Sequence, residues 1–284
     1  IASRVQASTT LTIDAMFKEM KLNGIDVVGF GAGEPDFPTP DRIKDAAITA
    51  IFKNKTKYTP ASGLPKLKKA ICYRFKEDFG LEYEPNQIVV TSGAKHVLYT
   101  ALQVLCDFHD EVIIGAPYWV SYSEMVRQAG AIPVLCEAGE DQHFKIEPET
   151  LEAVITNKTK VLMMNSPSNP TGMVYTKDEL AAIAEICCKH NLYVIADDIY
   201  SNLIYDGLKF YSLAQFGEDM KNRTIVVNGV SKSYAMTGWR IGYAACNPYL
   251  AKMISNYLSH SISNPCSISQ YAAIEALTGP QHDI

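Results

Sequence analysis

Residues 161–200 read VLMMNSPSNPTGMVYTKDELAAIAEICCKHNLYVIADDIY, and the fold turns on how this stretch is parsed. Two apolar runs, VLMMN and LYVIAD, bracket a segment with a different rhythm. In DELAAIAEICCKH, Leu180, Ile183, Ala184 and Cys187 recur at the spacing that puts them on one helix face, and Thr176 stands where an N-cap belongs. The NSPSNPTG between them carries two prolines and a closing glycine, the chemistry of a compact turn. Strand, crossover helix and strand in succession form the unit of a parallel sheet, because parallel neighbours need a long return connection.

Outward from this unit the pattern repeats. QIVVTSG, DEVIIGAP and AIPVLCE precede it and TIVVNGV and IGYAACN follow, with helical patterns between most of them. The expected fold class is α/β, a mainly parallel sheet with helices on both faces and ligands gathered at the carboxyl ends of the strands. The first forty residues differ. A helix candidate, TTLTIDAMFKEMKLNG, leads into VVGFGAGEPDFPTP, too rich in Gly and Pro to be regular. Residues 1–40 are therefore expected to form an arm and part of a small domain over the mouth of a large domain spanning 41–284.

Composition narrows the function classes. The chain has 284 residues and a net charge of −5 with both signs interspersed, so no basic footprint for nucleic acid stands out. Seven cysteines without a CxxC spacing read as reduced core thiols of a cytoplasmic protein, and six dispersed histidines offer no metal cluster. No apolar run is long enough to span a bilayer.

Several strand exits carry polar residues. TSGAKHVLY places small residues where a strand meets a helix starting near Ala94, which is either an ordinary turn or a phosphate site made of N–H groups and helix dipole. The asparagines of NSPSNPTG either shape the turn or point amides into a cleft. Asp197 ends an apolar run, so it is either a cap or a buried carboxylate in need of a partner, whereas Asp198 alternates to the other face. Lys232 follows TIVV with no acid nearby in sequence, and Arg240 lies eight positions on with Trp239 beside it. It is a solvated lysine or an amine whose nucleophilicity a second cation would favour. One ligand uses all of these groups together: a phosphorylated aromatic aldehyde with a basic ring nitrogen, pyridoxal 5′-phosphate.

The sequence resembles the fold-type I, class I aminotransferases of the bacterial aspartate aminotransferase subgroup from about residue 4 to the end. The resemblance is carried by GAGEPDFPTP, KYTPASGLPKLKKA, TSGAKHVLY, PYWVSYSEMV, NSPSNPTG, ADDIYSNLIYDG and NGVSKSYAMTGWRIGY. It implies the pyridoxal-phosphate transferase fold, a three-layer α/β/α large domain on a mainly parallel seven-stranded sheet. It implies that Lys232 forms the Schiff base with the coenzyme and then moves the substrate α-proton. Asp197 would pair with the ring nitrogen, and Asn169 and Tyr200 with the phenolic oxygen. Trp119 and Ile199 would flank the ring. Gly93, Ala94, Lys95, Ser231 and Arg240 would hold the phosphate, with Tyr58 reaching it from the neighbouring subunit of a homodimer. Gly33, Trp119 and Asn169 would contact substrate. The implied reaction moves an amino group by a ping-pong mechanism from an L-amino acid, foremost aspartate, to a 2-oxo acid, foremost 2-oxoglutarate. Family members continue into a C-terminal small domain that carries a carboxylate-gripping arginine, so most of that domain is expected to be missing from these 284 residues. Two alternatives share the cofactor: a C–S lyase, which the PYWVSY and NSPSNPTG forms disfavour, and the sensor half of a transcription regulator, for which no winged-helix module or linker is visible.

Overall fold

Seven short, largely apolar runs become seven strands of one sheet in a computed structural model that describes residues 8–31, 33–282 and 284. They are β1 (Ile88–Thr91), β2 (Glu111–Ala116), β3 (Ile132–Glu137), β4 (Thr159–Asn165), β5 (Tyr193–Asp197), β6 (Thr224–Gly229) and β7 (Gly242–Ala245). Their order is β1-β7-β6-β5-β4-β2-β3; β7 runs antiparallel to both neighbours and every other pairing is parallel. The expected strands are all present. The reversal of β7 is new information.

The helices are α1 (Thr9–Leu22), α2 (Asp41–Phe52), α3 (Pro65–Phe79), α4 (Ala94–Leu105), α5 (Ser121–Gln128), α6 (Pro148–Val154), α7 (Lys177–Lys189), α8 (Glu218–Arg223), α9 (Pro248–Ser261) and α10 (Ser267–Thr278). The cap of α7 forms as its sequence predicts. Thr176 Oγ1 accepts from the Glu179 amide, while Glu179 Oε2 accepts from the Thr176 amide at 2.7 Å. Between α1 and α2 the chain is irregular, as its Gly/Pro content requires. Residues 1–7, where the family resemblance begins, lie outside the described part.

Alternation along the strands sorts side chains into layers. On β4, Val161 and Met163 face one way and Leu162 and Met164 the other; on β5, Ile195 shares the first face and Val194 and Ala196 the second. The first face packs against α4, α5 and α9 through Val97, Leu98, Met125 and Ile254. The second is covered in two parts. Leu151, Leu180 and Ile183 of α6 and α7 lie over β2, β4 and β5, and Leu67, Ile71 and Phe75 of α3, with α10, lie over β1, β7 and β6. Each such Leu or Ile gains about 1.5–3 kcal/mol over an exposed position. Continuing the count along β5, Asp197 falls on the α5 side and Asp198 on the other. The sheet's alternation thus decides which of the two acids joins the site.

All seven cysteines are free; Cys136, Cys187 and Cys246 are buried, and Cys266 is exposed rather than a core thiol. Among the described residues no helix is long and apolar enough to cross a membrane, and no cluster of potential metal ligands occurs.

Candidate active site

The site is assembled from the exits of β1, β4, β5 and β6. At the first, β1 hands the chain to α4 through Gly93, whose φ of +88° suits a residue without Cβ. A Cβ there would stand 2.5 Å from Arg240 Nη2, so the guanidinium lies directly against the start of α4. Gly242, the first residue of β7, serves the same junction: its Cβ would be 2.2 Å from the Ala94 nitrogen. Arg240, with φ of +57°, donates from Nη1 to the Thr237 carbonyl at 2.9 Å, and among the described residues no carboxylate forms an ion pair with it. An uncompensated guanidinium over a helix N-terminus is an anion cup. Lys95 adds a second cation, its Nζ 4.6 Å from the Trp119 ring centroid. Burial lowers its pKa, and Arg240 lowers it further.

At the β5 exit, Asp197 is buried, and its Oδ2 accepts from the Tyr122 hydroxyl at 2.7 Å while Oδ1 has no hydrogen-bond partner. Burial lifts its pKa to about 6, against the opposing pull of the Tyr122 bond and of Lys232. A fully buried acceptor left open is costly unless something else fills it. Three residues on, the half-buried Tyr200 hydroxyl accepts from Asn169 Nδ2 at 3.4 Å. Burial raises its pKa; the bond to Asn169 lowers it and Asp197 raises it further. Ile199 is buried beside Gly229, whose added Cβ would meet Ile199 Cδ1 at 3.3 Å.

The β4 exit is locked to β5 by Asn165. Its Nδ2 donates to the Asp197 carbonyl at 2.8 Å and its Oδ1 accepts from the Asn169 amide at 2.7 Å. The asparagine that shapes the NSPSNPTG turn thereby fixes where Asn169 stands.

Beyond β6, residues 230–241 leave the sheet and return to it, clasped where Gly229 faces Gly242. This strap carries Ser231, Lys232 and Arg240. Ser231 is buried at its start. Lys232 is half-buried; its Nζ donates to the Gly33 carbonyl and lies 5.8 Å from the Tyr200 ring centroid. Burial depresses its pKa and Arg240 adds to the depression, while Glu34 and Asp197 oppose it. The arm reaches the strap at other points too: Thr39 Oγ1 donates to the Ala235 carbonyl at 2.6 Å and accepts from Trp239 Nε1 at 3.1 Å.

Lys232, Asp197, Asn169, Tyr200, Ile199, Gly93, Ala94, Arg240 and Gly33 are thus brought together. Trp119 joins through an edge-to-face contact with Tyr122, centroids 5.5 Å apart. Tyr58 does not: it is 90% exposed. Tyr122 and Asn165 had not been picked out individually. Tyr122 lies three residues after Trp119, and Asn165 has the same strand-end position as Asp197. A cleft of about 660 Å³ opens beside the anion cup, between α4 and α5, with Lys95, Tyr99, Tyr118 and Arg240 among its walls. Lys232 and Asp197 are not among the residues that line it.

The donor set fits pyridoxal 5′-phosphate. The open Asp197 oxygen suits a protonated ring nitrogen, the cup suits a phosphate dianion, and Lys232 offers an amine of depressed basicity. The sequence model of the family described as "Aminotransferase class I and II" matches residues 25–284. The chain belongs to that family. The aspartate aminotransferase of Bacillus sp. (strain YM-2) is 55% identical over the whole of this chain, which spans 73% of that relative. Among solved structures, the Rhizobium meliloti aspartate aminotransferase superposes with a TM-score of 0.94 at 44% identity, covering 99% of this chain and 70% of that one. The Thermus thermophilus aspartate aminotransferase with maleate gives 0.94 at 41% identity, covering 98% and 72%. This transaminase is of the bacterial aspartate aminotransferase type, has the pyridoxal-phosphate transferase fold, and belongs to a family dependent on that coenzyme.

Proposed function

We propose that the protein transfers the amino group of L-aspartate to 2-oxoglutarate, with each side chain named above in a defined role. The observation that carries these roles is the pairing of a depressed lysine at the β6 exit with a buried, half-satisfied carboxylate at the β5 exit. When bound, pyridoxal phosphate supplies a conjugated cationic ring into which charge developing at the substrate Cα can spread.

Lys232 would hold the coenzyme covalently, and its free amine would take the α-proton at Nζ. Burial shifts the basicity of that amine in the direction a general base near neutral pH requires. Asp197 keeps the proton on the ring nitrogen; above pH 6 its carboxyl is mostly ionised, and a cation opposite holds it so to lower pH. Asn169 and Tyr200 hold the phenolic oxygen, and Trp119 and Ile199 flank the ring. Gly93, Ala94, Lys95, Ser231 and Arg240 bind the phosphate. Gly33 and the arm of residues 1–40 close over the large domain, 41–284, and meet the substrate together with Trp119 and Asn169.

Aspartate is favoured by the names of the relatives, and the Thermus relative was solved with maleate, a four-carbon dicarboxylate. The exposure of Tyr58 supports a homodimer in which it reaches the neighbouring site, and seven free thiols support a cytoplasmic setting. The test is spectroscopic. L-Aspartate added to the pyridoxal-phosphate-loaded protein should convert it to the amine form, 2-oxoglutarate should reverse this, and borohydride should fix the label on Lys232. A label on any other lysine, or conversion by cystathionine with release of pyruvate, sinks the assignment.

A further inference from the structure

Tyr122 takes no part in the roles above, yet it makes the one described side-chain contact that holds Asp197. The residue is 3% exposed in the first turn of α5, on the sheet face that carries Asp197. Its hydroxyl donates to Asp197 Oδ2 at 2.7 Å, leaving Oδ1 buried and unpartnered. Its ring meets Trp119 edge-on, the planes at 90°. One phenol therefore touches both the carboxylate and the indole.

We infer that Tyr122 is a positioning residue: its hydroxyl ties one Asp197 oxygen to α5 so that the other is the acceptor for the coenzyme ring nitrogen, while its ring holds the Trp119 plane. This rests on the assignment of Asp197 to the ring nitrogen. A hydroxyl aimed at a carboxylate stabilises the charged form. Tyr122 remains a donor throughout, because burial and the neighbouring Asp197 push its own pKa far up. Lys232 and Tyr200 also interact electrostatically with Asp197, as does Asp198 from the opposite face of the sheet. Burial raises the pKa of Asp198 and that of Tyr200, and the groups that favour the Asp197 anion are the Tyr122 hydroxyl, the Ile199 amide and Lys232.

The experiment titrates the apo-protein with pyridoxal phosphate across that pH range, following coenzyme absorbance, for wild type, Tyr122→Phe, Asp197→Asn and the double variant. Affinity in wild type should fall on acidification as Asp197 takes up a proton. Tyr122→Phe removes a bond that favours the anion, so its fall should begin at higher pH, with binding at pH 7 weakened on the order of tenfold. In the Asp197→Asn background the same substitution should change affinity less than about twofold. An unchanged midpoint, or an undiminished effect without Asp197, overturns the inference. Wild-type protein that binds no coenzyme overturns the site assignment instead. If Tyr122→Phe does not fold, a crystal structure of the wild-type complex decides: the ring nitrogen on Oδ1, with Tyr122 still on Oδ2, supports it, and any other pairing refutes it.

Discussion

At position 232 an amine sits against the Tyr200 ring and the Gly33 carbonyl, without a carboxylate partner among the described residues. Lys232→Ala should lower kcat by about 10²–10⁴ or more, the usual worth of a general base. Added methylamine should restore part of it, and a rate insensitive to the amine would rule out the proton-transfer role. Asp197 makes a prediction about stability. Its pKa is about 6 in the folded protein and near the ordinary 3.8 when unfolded, so between these values the native state binds more protons. Stability of the apo-protein should therefore rise as pH falls from 7 to 5, by roughly 1.3 kcal/mol from this group. Urea unfolding should show a flatter profile for Asp197→Asn. Asp198, raised by burial in the same direction, keeps some slope. Both residues were legible in the sequence because, although each alone reads equally as a cap or a solvated charge, several polar groups at successive strand exits fit one ligand together. Tyr122 was not, since an aromatic at the start of an amphipathic helix reads as core. Only the register of α5 against β5 makes it a hydrogen-bond donor.

Among elements, the junction of α4 with β7 is the least forgiving. Gly242→Ala puts a methyl 2.2 Å from the Ala94 nitrogen and 2.4 Å from the Gly93 carbonyl carbon. Backbone cannot swing aside as a side chain can, so α4 must move off the sheet. The expected result is a loss of about 1–3 kcal/mol, as for an overpacked core, together with weaker phosphate binding because the cup shifts. Differential scanning calorimetry and coenzyme titration measure the two, and an unaltered affinity would disconnect this contact from the cup. Strand and helix identities were readable from period and turn chemistry, as the cap of α7 by Thr176 illustrates. The direction of β7 was not. GYAA has no feature that distinguishes parallel from antiparallel pairing, and the strap before it is long enough for either.

For the molecule as a whole, the exposed ring of Tyr58 bears on assembly. If it completes a neighbour's phosphate site, subunits carrying Tyr58→Ala and subunits carrying Lys232→Ala should complement each other. Mixed after partial denaturation and renaturation, they form one site per hybrid dimer with both residues intact. The mixture should regain activity that neither parent has, and sedimentation should give twice the chain mass. No gain on mixing would confine Tyr58 to its own subunit. The pairing of β1 with β7 has another consequence. Thr91 lies opposite Gly242, so the first strand of the sheet stays an unclaimed edge until the last has been made. On the ribosome, then, the niche for the vitamin-derived aldehyde should close only after Ala245 has emerged. Nascent chains arrested short of that point should leave the aldehyde uncaptured, however well their earlier strands have already associated.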